Sequence, residues 1–201
     1  MRSPTSSRLL PCIAGLASIF VFALSASTVP AALIRASAEL HLDPTLLART
    51  LSFQYTAFFV TTLVGGVLAD FFGKKVLFVI AAALTALGAA MWGLAGSLAA
   101  ACLAAAIMGM GGGVLEGLSS ALLSDLYPER RKLLLNLSQV FYCLAAIGGP
   151  ALIGWLMPRG VSWRLFFGAV ALSGLALLLL YAISHIPRPP PHQRIDGTRL
   201  R

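Results

Sequence analysis

Charge is what this sequence has least of: 11% of its 201 residues are charged, and only seven of those are acidic. Five stretches, 9–34, 51–69, 76–115, 133–158 and 165–184, carry no charged side chain at all. Hydrophobic residues make up 58% of the chain and the mean hydropathy is +0.87. A soluble domain of this length has no use for so much apolar surface, which excludes a soluble fold. Cysteine is also scarce. Cys12, Cys102 and Cys143 all fall inside uncharged stretches and read as small apolar residues, with no metal site or disulfide implied. Nothing calls for a cofactor.

Runs of this length read as helices that cross a lipid bilayer. A crossing needs roughly 20 residues at 1.5 Å each to span about 30 Å of hydrocarbon, so the stretch 76–115 is twice too long for one helix. The pair Gly96-Ser97 offers a turn without charge. Six spans follow, at about 10–34, 51–69, 76–95, 98–124, 133–157 and 165–184, within one membrane domain over 1–186. The tail at 187–201 opens with Pro187, Pro189, Pro190 and Pro191, cannot extend a helix, and reads as a flexible end.

The net charge of +8 raises nucleic acid as a partner, but the basic residues lie between spans and not on a soluble face, so no nucleic-acid role is read from it. Their distribution reports orientation. With the amino terminus inside, one side carries Arg2, Arg8, Lys74, Lys75, Arg130, Arg131, Lys132, Arg188, Arg194, Arg199 and Arg201; the other carries Arg35, Arg49, Arg159 and Arg164. The excess places both termini in the cytoplasm of a multi-pass protein of the plasma (inner) membrane. A cleaved leader, with Arg2 and Arg8 before an apolar run and Ser25-Ala26-Ser27 after it, is the alternative for the first span; that run is long enough to cross, and losing it would leave five helices.

The stretch Gly66-Val67-Leu68-Ala69-Asp70-Phe71-Phe72-Gly73-Lys74-Lys75 resembles the loop signature between helices two and three of the major facilitator superfamily, with Phe71 in place of a basic residue. Gly149-Pro150 in the fifth span and Ser162-Trp163-Arg164 entering the sixth resemble positions common in the amino-terminal half of such transporters. The resemblance implies an all-α membrane protein with six helices arranged as a 3+3 inverted repeat. It also implies secondary active transport of a small solute, with the site at an interface between two six-helix halves. In that signature Gly66 admits a close helix, Gly73 permits the turn, and Asp70 pairs with Lys74, Lys75 or a partner half as a cytoplasmic gate. Since the chain supplies six helices, a second half or a homodimer is the expected partner; a truncated or split-gene half without transport of its own is the alternative.

The fourth span concentrates the polar signal. Gly109, Gly112, Gly113, Glu116 and Ser120 recur at helical spacing and form one face of small and polar side chains. A charge near the bilayer centre costs on the order of 2.5–3.5 kcal/mol, so Glu116 must be protonated, paired or facing a wet cavity. The run from Gly109 to Glu116, followed by Asp125-Leu126-Tyr127-Pro128-Glu129-Arg130-Arg131 and Asn136, is similar to the fucose and glucose/galactose proton symporter group, which implies proton coupling at Glu116 and a sugar as solute. Against it, the first span has no acidic residue where members of that group can carry one. Gln54, Asn136 and Gln139 are candidates for the substrate path. Gly149 and Pro150 read as packing or kinking residues. Ser119 and His185 invite comparison with an intramembrane serine protease, but Ser120 stands where that signature has glycine, and the two groups lie about 8 Å apart along the axis, so no enzyme is expected.

Overall fold

A computed structural model of the chain describes residues 6–184 and 186; Arg2, His185 and the tail at 187–201 lie outside the described residues. Among these are seven α-helices and no strand: α1 Ser6–Glu39, α2 Pro44–Leu47, α3 Arg49–Phe72, α4 Lys74–Gly93, α5 Leu98–Leu126, α6 Arg131–Leu156 and α7 Trp163–Ile183. Six helical segments are long and apolar enough to cross a membrane, with the short α2 leading into α3. They extend past most of the uncharged stretches because charged and capping residues form their first and last turns. The 34-residue α1 is about 51 Å long, well beyond the hydrocarbon thickness.

Local chemistry sets the breaks. Between α3 and α4 the chain reverses at Gly73, whose φ of 86° strains any residue with a Cβ. Between α4 and α5 no charge is needed: Leu94 follows the last turn, and Ser97 Oγ accepts the Ala100 N–H at 3.3 Å to start α5. Ser162 Oγ accepts the Arg164 N–H in the same way at α7. The α2 turn, which the hydropathy pattern does not reveal, is started by Asp43. Its carboxylate accepts the Thr45 hydroxyl and N–H, and these bonds hold it below the usual carboxylate range.

The packing pattern has a two-fold relation written into it. α3 packs on α5 and α6 on α1; α5 packs on α4 and α1 on α7; α4 and α7 pack on each other, as do α1 and α5. Exchanging the first three spans with the last three maps α3–α5 onto α6–α1 and α4–α5 onto α7–α1, and the pairs α4–α7 and α1–α5 onto themselves, as a 3+3 inverted repeat requires. Apolar side chains fill two layers. One is built around Phe78, Leu115, Leu122 and Tyr181, the other around Trp92, Met108, Trp163 and Phe167. Only 11% and 17% of the apolar windows of the α3 and α6 spans are buried, against 67% for α1, so α3 and α6 are flanks and α1 is a centre.

Candidate functional site

A groove of about 500 Å³ lies where the flanks α3 and α6 stand on either side of α1. Its wall is made of small residues of α1 around Ala26 and Ser27, of Tyr55 from α3, of Tyr142 and Ala146 from α6, and of Pro30 and Pro150. Tyr55 and Tyr142 of this wall are the two ends of a contact chain of four aromatic rings. Tyr55 meets Phe58 edge-on at 6.5 Å, Phe58 stacks on Phe22 at 5.0 Å, and Phe22 meets Tyr142 at 6.2 Å. The chain of rings thus passes from α3 over α1 to α6.

Glycines on α5 decide what stands next to it. A Cβ at Gly109 would overlap the Gln54 carbonyl, and one at Gly113 would overlap Thr61 Oγ1 and the Phe58 carbonyl, so these two positions let the α3 backbone in. A Cβ at Gly112 would lie 2.9 Å from the Phe22 ring. The small and polar face on which these glycines stand is thus covered by α3 and by Phe22. Glu116 is four residues on from Gly112, hence on the same face of α5 one turn further along. It is partly buried and makes no ion pair among the described residues. Ten residues separate it from the end of α5, about 15 Å along the axis.

The three amide candidates are not brought together. Gln54 is 3% exposed in the seam with α5, and its Oε1 has no partner among the described residues. Asn136 and Gln139 are exposed, and Gln139 borders a separate hollow of about 480 Å³ with Cys143 and Leu144 on the outer face of α6. Gly149 sits against Leu24, where a Cβ would come within 2.9 Å, so α6 and α1 approach closely there. Ser119 is fully buried inside the bundle and lines neither the central groove nor the hollow on α6.

At the loop between α3 and α4 the structure redistributes the expected contacts. Lys74 pairs with Asp125 at the end of α5, and Lys75 Nζ donates to the Ala182 carbonyl of α7 at 2.9 Å. Neither lysine is the partner of Asp70, which is exposed and makes no ion pair among the described residues. The physical reason is that α5 and α7 end beside α4 at this level, whereas Asp70 lies on the open flank of α3. The close approach assigned to Gly66 also moves: Gly65 is the buried glycine, facing Val114, while none of the described residues lies within 4 Å of a Cβ at Gly66.

The opposite end carries a contact that no motif announced. Glu39, at the last turn of α1, accepts the Trp163 Nε1–H at 2.6 Å and pairs with Arg164 Nε at 3.1 Å. Arg164 also donates to the Gly93 carbonyl at 2.7 Å, capping the end of α4, and lies over the Trp163 ring at 4.3 Å. One arginine therefore ties α1, α4 and α7 together. Truncating it to alanine is expected to cost about 1–2 kcal/mol, more than an exposed pair alone, because the carbonyl cap is lost as well. Glu39→Gln, which keeps an acceptor for Trp163, is expected to cost less than 1 kcal/mol. Thermal unfolding in detergent followed by tryptophan emission checks the order; a larger loss for Glu39→Gln would reverse the assignment.

Six spanning helices in two-fold relation, with a groove between the flanks, have the architecture of half of a membrane transporter. The profile of the Major Facilitator Superfamily matches residues 14–200, and the chain belongs to that family. It is 30% identical over 133 residues to an uncharacterised transporter of Schizosaccharomyces pombe, covering 65% of this chain and 22% of that protein. It is 28% identical over 184 residues to the MFS-type transporter of the acurin A biosynthesis cluster of Aspergillus aculeatus, covering 90% of this chain and 32% of that one. Among solved structures it resembles a proton:xylose symporter with a TM-score of 0.74 and 19% identity, over 91% of this chain and 46% of the symporter. The chain thus spans less than half the length of each.

Proposed function

We propose that the chain is one half of a secondary transporter that moves a small solute across the plasma (inner) membrane, coupled to protons through Glu116. A second six-helix unit, either a separate half or another copy, would complete the path. The observation that carries this reading is the groove itself, which has α1 as its floor and α3 and α6 as flanks but no fourth wall among the described residues. Backbone and polar groups on such a face are not suited to lipid, so a complementary unit is required. Asp70, with both neighbouring lysines engaged elsewhere, is then available to a gate contact with that unit.

The test is reconstitution. The purified chain is expected to run as a dimer, or in equal ratio with a second six-helix protein, and to drive solute uptake in proteoliposomes under a pH gradient. Robust transport by proven monomers would contradict the reading. Orientation is checked separately: the basic excess at the Lys74 end predicts that reporter fusions at Pro128 and at Arg201 both read cytoplasmic. A periplasmic signal at either one would break the proposed topology.

A further inference from the structure

The groove holds a second feature besides its aromatic rings. In an α-helix each carbonyl accepts from the N–H four residues on, and proline has no N–H. Pro30 therefore leaves the carbonyl of Ala26 without its helical donor, and Pro150 does the same to Ala146. Both prolines and both alanines line the same groove, one pair on α1 and the other on α6. Nearby hydroxyls do not fill the gap, since Ser27 Oγ and Thr28 Oγ1 both donate to the Leu24 carbonyl, at 3.2 and 2.7 Å. Two backbone acceptors on facing helices thus share the groove wall with Tyr55 and Tyr142.

We infer that the groove binds a flat aromatic amphipath bearing at least one N–H or O–H donor, and not a polyhydroxylated solute such as a sugar. The inference rests on the transport reading above and names the solute class of that site. The Tyr55 and Tyr142 rings supply stacking partners, each pair formed with the ligand contributing about 0.5–1.5 kcal/mol beyond its buried area. The two carbonyls supply acceptors. Donors are few: the phenol hydroxyls of Tyr55 and Tyr142 remain, while the Ser27 proton is spent and Gln54, Asn136 and Gln139 lie elsewhere. A sugar would bury several hydroxyls without partners, at about 1–3 kcal/mol each. A groove of about 500 Å³ also lies within the ordinary range for drug-sized molecules.

The probe is rhodamine 6G, a planar ethyl ester whose amines carry N–H, compared with tetramethylrhodamine ethyl ester, which has the same plan without N–H. Both are titrated by fluorescence anisotropy against the full chain in lipid nanodiscs, with empty nanodiscs subtracted. Saturable binding of rhodamine 6G is expected, about 10-fold tighter than its methylated counterpart, as one hydrogen bond to a buried acceptor predicts. Pro30→Ala combined with Pro150→Ala, which restores both missing N–H groups, is expected to close that gap. Tyr142→Ala is expected to weaken both dyes about 10-fold, with Tyr142→Phe close to the parent. Excess D-xylose should displace neither.

No saturable binding, equal affinity for the two dyes, displacement by D-xylose, or an unchanged affinity in Tyr142→Ala would each overturn the inference. If sugar uptake is found in proteoliposomes without dye binding, the solute class fails and the transport reading stands. If the dyes bind as described but no assembly moves any solute, the transport reading fails alone.

Discussion

Glu116→Gln abolishes uphill, pH-dependent solute accumulation in the reconstituted assembly, lowering it by about 100-fold, while exchange of solute down its own gradient persists. The magnitude follows from the cost of charge in the membrane. Moving an ionised carboxylate between a wet and a closed environment is worth on the order of 2.5–3.5 kcal/mol, and every 1.4 kcal/mol is a factor of about ten. That difference can couple a proton to a conformational change only if the group titrates, and glutamine keeps the shape while removing titration. The position fits the role: Glu116 is partly buried within the α5 span, without an ion pair among the described residues to hold it in one charge state. Accumulation is measured in proteoliposomes across external pH, and exchange by counterflow. Uphill uptake with an unchanged pH profile in Glu116→Gln would make the residue structural and end the proton-coupling proposal.

The spans were legible because charge in a bilayer is expensive, so uncharged stretches and helices nearly coincide, down to the turn at Gly96-Ser97 that needs no charged residue. Partnerships were not legible. Lys74 stands four residues from Asp70 in sequence, yet it pairs with Asp125, because contact at the helix ends depends on which helices pack side by side. Glu39 attracted no notice as a lone acid at a span end, but it meets Trp163 and Arg164 more than a hundred residues away. The aromatic run was hidden for another reason. In a membrane helix nearly every position is apolar, so Phe22, Phe58 and Tyr142 carry no contrast with their neighbours and only packing brings them together. The same loss of contrast shifted the close approach by one residue, to Gly65 from Gly66.

Adjacent registers of glycine allow a sharp comparison of packing against propensity. Glycine to alanine in a helix interior gains about 1 kcal/mol from propensity wherever the new methyl meets nothing. At Gly66 none of the described residues lies within 4 Å, so Gly66→Ala is expected to be neutral or slightly stabilising in the isolated chain. At Gly109 the new Cβ would overlap the backbone carbonyl of Gln54, which no side-chain rotation relieves. The α3–α5 seam must then open, and overpacking of this kind costs about 1–3 kcal/mol or more, exceeding the propensity gain. Gly112→Ala should fall between the two, because its obstacle is the edge of the Phe22 ring, which can shift. For a chain of this size 1 kcal/mol corresponds to roughly 2–4 °C in Tm, so Gly109→Ala is expected to lower the transition by several degrees and Gly66→Ala by none. Near-ultraviolet circular dichroism on heating in detergent reads the series. A Tm for Gly109→Ala equal to or above the parent's would show that the seam is loose enough to admit a methyl group, and the tight α3–α5 contact would have to be given up.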